Sequence, residues 1–127
     1  MAADILAIGL DPAHVDLTAF PGLTPDLVRA YLTSELDRLR REGFRVTDCL
    51  IFPDETGLQM IEERLRAARY ACILIGAGVR EAPTPVTFFE RVINLARSLA
   101  PDAPICFNSS PADTTEAVKR WVSPAGG

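Results

Sequence analysis

"CILIGAG", Cys72–Gly78, decides how the rest of the chain is read. Its apolar residues have no helical period, and glycine closes the run, the pattern of a strand buried on both faces. Such a strand lies centrally in a sheet, which needs cover on each side. Stretches with a helical period stand on either side of it in the sequence.

Upstream, "DETGLQMIEERLRAARYA" (54–71) places Thr56 three residues before Gln59, a capping-box pattern, and sets Leu58, Ile61, Leu65 and Ala68 on one helical face. Before it, "FRVTDCLIF" (Phe44–Phe52) is an apolar stretch interrupted by Arg45, Thr47 and Asp48, which suits an edge strand with a partly solvated flank. "TPDLVRAYLTSELDRLRREG" (24–43) has Thr24 as N-cap, Pro25 at the first helical position and Gly43 as the stop. Leu27, Val28, Tyr31, Leu32, Leu36 and Leu39 form its apolar stripe, with Asp37 four residues before Arg41 on the wet side. "DILAIGL" (Asp4–Leu10) is the first strand, ended by the turn signal Asp11-Pro12.

Downstream of the central strand come breaks at Pro83 and Pro85, then a third helix over Val86–Ala100. A short fourth strand follows in "PICFN" (104–108), a closing helix in "DTTEAVKRWV" (113–122) and a frayed tail over 124–127. Strands alternating with helices predict parallel pairing, right-handed crossovers and helices on both faces. The expected fold is a single domain, 1–127, of three-layer α/β/α architecture with a four-stranded parallel sheet in the order 2-1-3-4, a truncated flavodoxin-like or Rossmann-like sheet.

Composition narrows the partners. The 127 residues are 48% hydrophobic and 24% charged, ordinary for a folded domain of this length. Thirteen Lys and Arg against seventeen Asp and Glu give a net charge of -4 with no basic cluster, which argues against nucleic acid or an anionic membrane as partner. Asp4 stands where a signal peptide carries Lys or Arg, and the apolar run behind it is too short to span a bilayer, so a cytoplasmic location is expected. Cys49, Cys72 and Cys106 each lie inside an apolar run without C-x-x-C spacing and read as buried thiols, and no metal site is expected.

In an open α/β sheet, ligands bind beyond the carboxyl ends of the strands where the strand order reverses, here between the first and third strands. The turns expected there carry Asp11 and His14 after the first strand, Gly76, Gly78 and Arg80 after the third, and Asn108, Ser109 and Ser110 after the fourth. These eight residues are the candidate ligand-binding set, suited to a small polar or anionic ligand because glycine turns and free helix-start amides accept anions. No cofactor is named by them. The connection from Asp11 to Leu23 is long for a β-α loop and is a candidate lid.

More specific chemistry finds weak matches. "GAGVRE" lacks the third glycine of a dinucleotide fingerprint and follows the wrong strand, so a tight turn explains its glycines; a Walker A motif is absent. Asp11, His14 and Asp16 form a possible metal or acid/base group, but one histidine with two loop carboxylates is an incomplete zinc set. The spacing departs from the D-x-H-x-x-G pattern of cobalamin-binding domains. Receiver-domain and small tyrosine phosphatase patterns are also unmatched. A small hydrolase would use Ser109 or Ser110 as nucleophile, His14 as base and Asp11 or Asp113 as orienting carboxylate, although Ser110 before Pro111 is already explained as an N-cap. Asp113 with Glu116 is the other capping option at that helix start.

The third helix points to assembly. Phe88, Val92, Leu95, Ala96 and Leu99 make a core stripe, while Phe89, Ile93 and Ala100 widen the apolar arc beyond one sheet face. A homodimer through this helix, with Trp121 or the fourth-strand edge, is expected.

The second half, "LIGAGVREAPTPVTFFERVINLARSLAPDAPICFNSSPADTTEAVKRW" (74–121), resembles short bacterial proteins of unassigned function. They share a Gly-rich strand end, a Pro-containing loop, a Phe-rich helix, an "ICFN" strand and a Pro-Xaa-Asp-Thr helix start. The resemblance implies a Rossmann-like fold and brings no catalytic residues. A ligand-binding module and a homo-oligomeric assembly protein are therefore the leading readings, with a hydrolase third.

Overall fold

The computed structural model describes residues 2–125. Four strands, β1 (Asp4–Leu10), β2 (Arg45–Ile51), β3 (Cys72–Ile75) and β4 (Ile105–Phe107), form one sheet in the order β2-β1-β3-β4, every pair parallel. The three-layer fold and strand order are those expected from the alternation of strands and helices.

Helices α1 (Pro25–Arg41), α2 (Glu55–Ala67), α3 (Ala77–Arg80), α4 (Val86–Leu99) and α5 (Thr114–Lys119) connect and cover the strands. One face packs Leu6, Ile8, Ile73 and Ile75 of the sheet against α2 and α4 through Leu58, Ile61, Leu65, Phe88 and Val92. On the other, Ile5, Cys72 and Leu74 meet Leu36, Leu39, Ala117 and Val118 of α1 and α5. Each fully buried Ile or Leu contributes about 1.5–3 kcal/mol relative to exposure, so both layers are needed to hold the sheet. None of the described helices is long and apolar enough to cross a membrane.

Several local expectations change. The cap of α2 is Asp54, whose carboxylate accepts from Gly57 N at 2.9 Å, and not the Thr56–Gln59 box. Gly57 is required there: a Cβ would stand 1.9 Å from the Phe52 carbonyl oxygen. Ala68 lies outside the core because α2 ends at Ala67. Asp37 pairs with Arg40, three residues on, and not with Arg41. The closing helix is shorter than expected, a 3-10 turn over Pro111–Asp113 leading into α5.

In α1 the apolar stripe is buried only at its C-terminal end. Leu36 and Leu39 enter the core, whereas Leu27 and Tyr31 remain 54% and 44% exposed. The N-terminal half thus stands over the sheet without closing on it. Gly43, with φ 101, ends this helix in a left-handed turn and packs beside Pro124, whose carbonyl accepts from Ala3 N at 3.0 Å. Pro124 is thereby tied to the amino end of the central strand β1, and residues 126 and 127 of the expected tail lie outside the described residues.

Candidate functional site

The sheet face under α1 loses bulk toward the carboxyl ends of its strands. Strand side chains alternate between faces, so Ile5, Ala7 and Gly9 of β1 share this side, as do Val46, Asp48 and Leu50 of β2. Leu74 and Gly76 continue it along β3, with Ala7 paired to both Asp48 and Leu74. The lowest row, Val46 and Ile5, is bulky; the next turns on Ala7, and the highest on Gly9 and Gly76. Side chains shrink there while α1 keeps its height.

The result is a cavity of about 180 Å³ between the ends of β1 and β3. Val28, Leu32 and Leu36 of α1 roof it, Ala7, Gly9 and Leu74 form its floor, and Asn108 and Thr114 close the β4 side. Pro12 and Val15 of the Asp11–Leu23 connection stand at its rim. This is the switch-point crevice expected from topology, but its wall is mainly apolar.

Asn108 is the buried polar hub beside it. Only 5% exposed, it accepts from Ala77 N at 3.0 Å through Oδ1 and donates from Nδ2 to Thr114 Oγ1 at 3.0 Å. One carboxamide therefore joins the end of β4 to the starts of α3 and α5. Gly76 and Gly78 also line the crevice, and a Cβ on Gly76 would approach the Ile8 carbonyl oxygen to 3.3 Å.

Other expected ligand contacts are committed within the chain. Asp11 caps the 3-10 turn Pro12–His14, accepting from Ala13 N at 2.9 Å, and pairs with Arg29 at 2.8 Å. Arg80 donates to the carbonyls of Ile75 at 2.9 Å and Asn108 at 2.6 Å and lies over the Phe107 ring, so it fastens β3 to β4. Ser109 donates its hydroxyl to Asp113 Oδ2 at 2.7 Å, and Asp113 also accepts from the amides of Ser109 and Ser110. Ser110, which caps the turn with Asp113 as box partner, is the realised capping option, while Glu116 pairs with Arg38 instead. The Ser109 hydroxyl, followed by the amides, holds the Asp113 carboxyl below its ordinary range. An internal carboxylate thus occupies the amides that were expected to receive an external anion.

His14 lies elsewhere. Its ring meets Phe52 at 5.4 Å, beyond the end of β2, whereas Ser109 follows β4. Three strand spacings, about 14 Å, separate those strand ends. Ser109 is thus brought to Asp113 and not to His14, and the geometry lends the hydrolase reading no support.

Two crevice residues were not singled out from the sequence. Glu35 of α1 and Asp48 of β2 are the only acidic residues among the lining, which contains no Lys, Arg or His. Glu35 pairs with Arg38 at 3.3 Å. Asp48, exposed on the edge strand β2, has no ion pair among the described residues; partial desolvation pushes its carboxyl up, offset in part by the charge of Arg40 and the Cys49 amide. Arg40 itself bonds Asp37 and the Val46 carbonyl. Alternation would have revealed Asp48: it shares the face of Val46 and Leu50.

The thiols are structural in placement. All three are buried, with Cys72 and Cys106 Sγ atoms 3.3 Å apart across β3 and β4. Burial pushes the Cys49 thiol up to about 11, and the contact with Cys72 together with burial pushes Cys106 up. Among the described residues no group of three His, Cys, Asp or Glu side chains is placed to hold a metal ion. In comparison with known proteins, no family model matches the chain and no curated protein matches it.

Proposed function

We propose that this protein binds a small molecule in the crevice between the carboxyl ends of β1 and β3. The observation that carries the reading is the cavity of about 180 Å³ at the point where the strand order reverses. Cavities of about 150 Å³ with apolar walls accept benzene, so this one suits a compact body near that size. It is too small to enclose a nucleotide or flavin, which need pockets of several hundred Å³.

The lining also shifts the ligand class away from the small polar or anionic molecule suggested by the turn residues. Its wall is aliphatic, its charged groups are carboxylates, and the anion-accepting amides of Ser109 and Ser110 already hold Asp113. A thermal-shift screen covering nucleotides, sugar phosphates, flavins, divalent metals and compact apolar compounds tests the reading. A specific ligand at a hundred times its Kd should raise Tm by about 8 °C. No shift with any class would count against it.

A second reading, a homodimer, rests on a different surface. Val86 of α4 is 65% exposed and Phe107 of the β4 edge 38%, with Phe89 packed edge-on to Phe107 at 6.0 Å. Ile93 and Ala100 are partly covered by this chain's own core, which leaves a smaller surface than the helix pattern suggested. Trp121 follows α5 on the other side of the sheet, so the two would meet a partner only around the β4 edge. Light scattering at micromolar concentration distinguishes dimer from monomer.

A further inference from the structure

We propose that residues 15–23 form a lid that closes over the crevice, with Phe20 as its apolar plug packing against Val15 and Leu27. This rests on the crevice being a binding site and adds the means by which it shuts on what it holds.

Apolar surface left in water is concentrated around this segment. Of the nine large hydrophobic side chains that stay exposed among the described residues, five lie between residues 15 and 31: Val15, Phe20, Leu23, Leu27 and Tyr31. Three belong to the connection and two to the open end of α1. Asp11 ties the start of the connection to Arg29 of α1 at 2.8 Å, and Thr24 ends it as the cap of the same helix. The segment is thus a loop pinned at both ends to the helix that roofs the crevice. Val15 stands at the rim, while Leu27 and Tyr31 each precede a roof residue, Val28 and Leu32. Closure of the arm would take these two apolar sets out of water together.

Hydrogen bonds divide the connection into a fixed stem and a free arm. In the stem, Pro12 is fully buried, the Asp11 amide donates to the Ile51 carbonyl at 2.8 Å, and the Asp11 carboxylate caps the 3-10 turn. Beyond Val15 the bonds are internal to the arm: the Thr18 amide donates to Asp16 Oδ1 at 3.0 Å, and the amides of Phe20 and Leu23 donate to the carbonyls of Leu17 and Phe20, both at 2.9 Å. These bonds hold the arm's shape without fastening it to the sheet, so it turns as a body about Val15 and Thr24. Gly22, where a Cβ would meet nothing within 4 Å, leaves open space beside the second pivot. Segments with few buried contacts are the ones that open and close over binding sites. A filled crevice gives Phe20 more apolar surface to cover, so occupancy favours the closed position.

The test is NMR of the ¹⁵N-labelled full chain with benzene as the crevice probe. Relaxation dispersion of the free protein is expected to show microsecond-to-millisecond exchange at the amides of residues 16–23 and none at those of β1. Benzene is expected to move the amides of Gly9 and Gly76 and, with them, those of Phe20 and Leu23. Phe20 is exposed, so Phe20→Ala leaves the core intact. In that variant benzene should dissociate about tenfold faster while Gly9 and Gly76 still respond. No exchange in the arm, or an unchanged dissociation rate in Phe20→Ala with Gly9 and Gly76 moving as before, would overturn the lid and leave the crevice reading standing. If benzene moves neither Gly9 nor Gly76, the crevice takes no compact apolar body and the lid falls with that reading. Shifts at Phe20, Leu27 and Tyr31 that vary with protein concentration, together with a dimer's mass in light scattering, would assign the exposed patch to a second copy and overturn the lid as well.

Discussion

Ser109 and Asp113 close on each other: the serine hydroxyl donates to the carboxylate at 2.7 Å while the Ser109 and Ser110 amides donate to the same group. This cap starts the turn that feeds α5. Asp113→Ala should therefore destabilise the protein by about 1 kcal/mol at neutral pH. The folded-state carboxyl lies below its ordinary value of 3.8, so its stabilisation is present above that value and lost as pH falls through the folded one. Urea unfolding of wild type and variant should differ at neutral pH and converge in acid.

Asn108 holds three elements through one side chain. Asn108→Ala would leave the Ala77 amide and the Thr114 hydroxyl without their partner, at a cost of about 2–4 kcal/mol. Chemical denaturation measures it. A loss below about 1 kcal/mol would mean that the neighbours find water or new partners.

Gly57 sits inside α2, where alanine ordinarily favours a helix by about 1 kcal/mol. Here the added Cβ would strike the Phe52 carbonyl, so Gly57→Ala should instead destabilise by about 1–3 kcal/mol. Its melting temperature, read against that of Gly22→Ala, where a Cβ meets nothing within 4 Å, isolates the clash.

Asp48 should show the opposite sign. Its folded-state carboxyl is raised above the ordinary 3.8 by burial, so stability is fullest below that value and declines as pH rises through the folded one. Asp48 is exposed, so solvent screens most of this effect: Asp48→Asn should stabilise the free protein only slightly at neutral pH, and the gain should vanish in acid. Melting curves across pH, recorded without ligand, check it.

The fold was legible because its signals are local and redundant. Cys72–Ile75 had no polar face to offer water, and Thr24, Pro25 and Gly43 bracketed α1 at its observed ends. The site was less so. Arg80 and Asp11 carry charge on turns at the strand ends, but backbone carbonyls and Arg29 claim them, and such pairings depend on tertiary neighbours. Likewise, the α1 stripe marks Leu27 and Tyr31 as apolar without saying how far the sheet rises beneath them. The decline from Ile5 through Ala7 to Gly9 was written in the sequence, yet it becomes a cavity only once α1 is seen to stay above it.

The crevice is the centre of this account, and its most direct test is a crystal structure with the compound that raises the melting temperature most. The account predicts density for that compound between Ala7, Leu32 and Leu74, with Asn108 retaining its bonds to Ala77 and Thr114. Density for it at another surface, with α1 collapsed onto Ala7 and Gly9, would contradict the account.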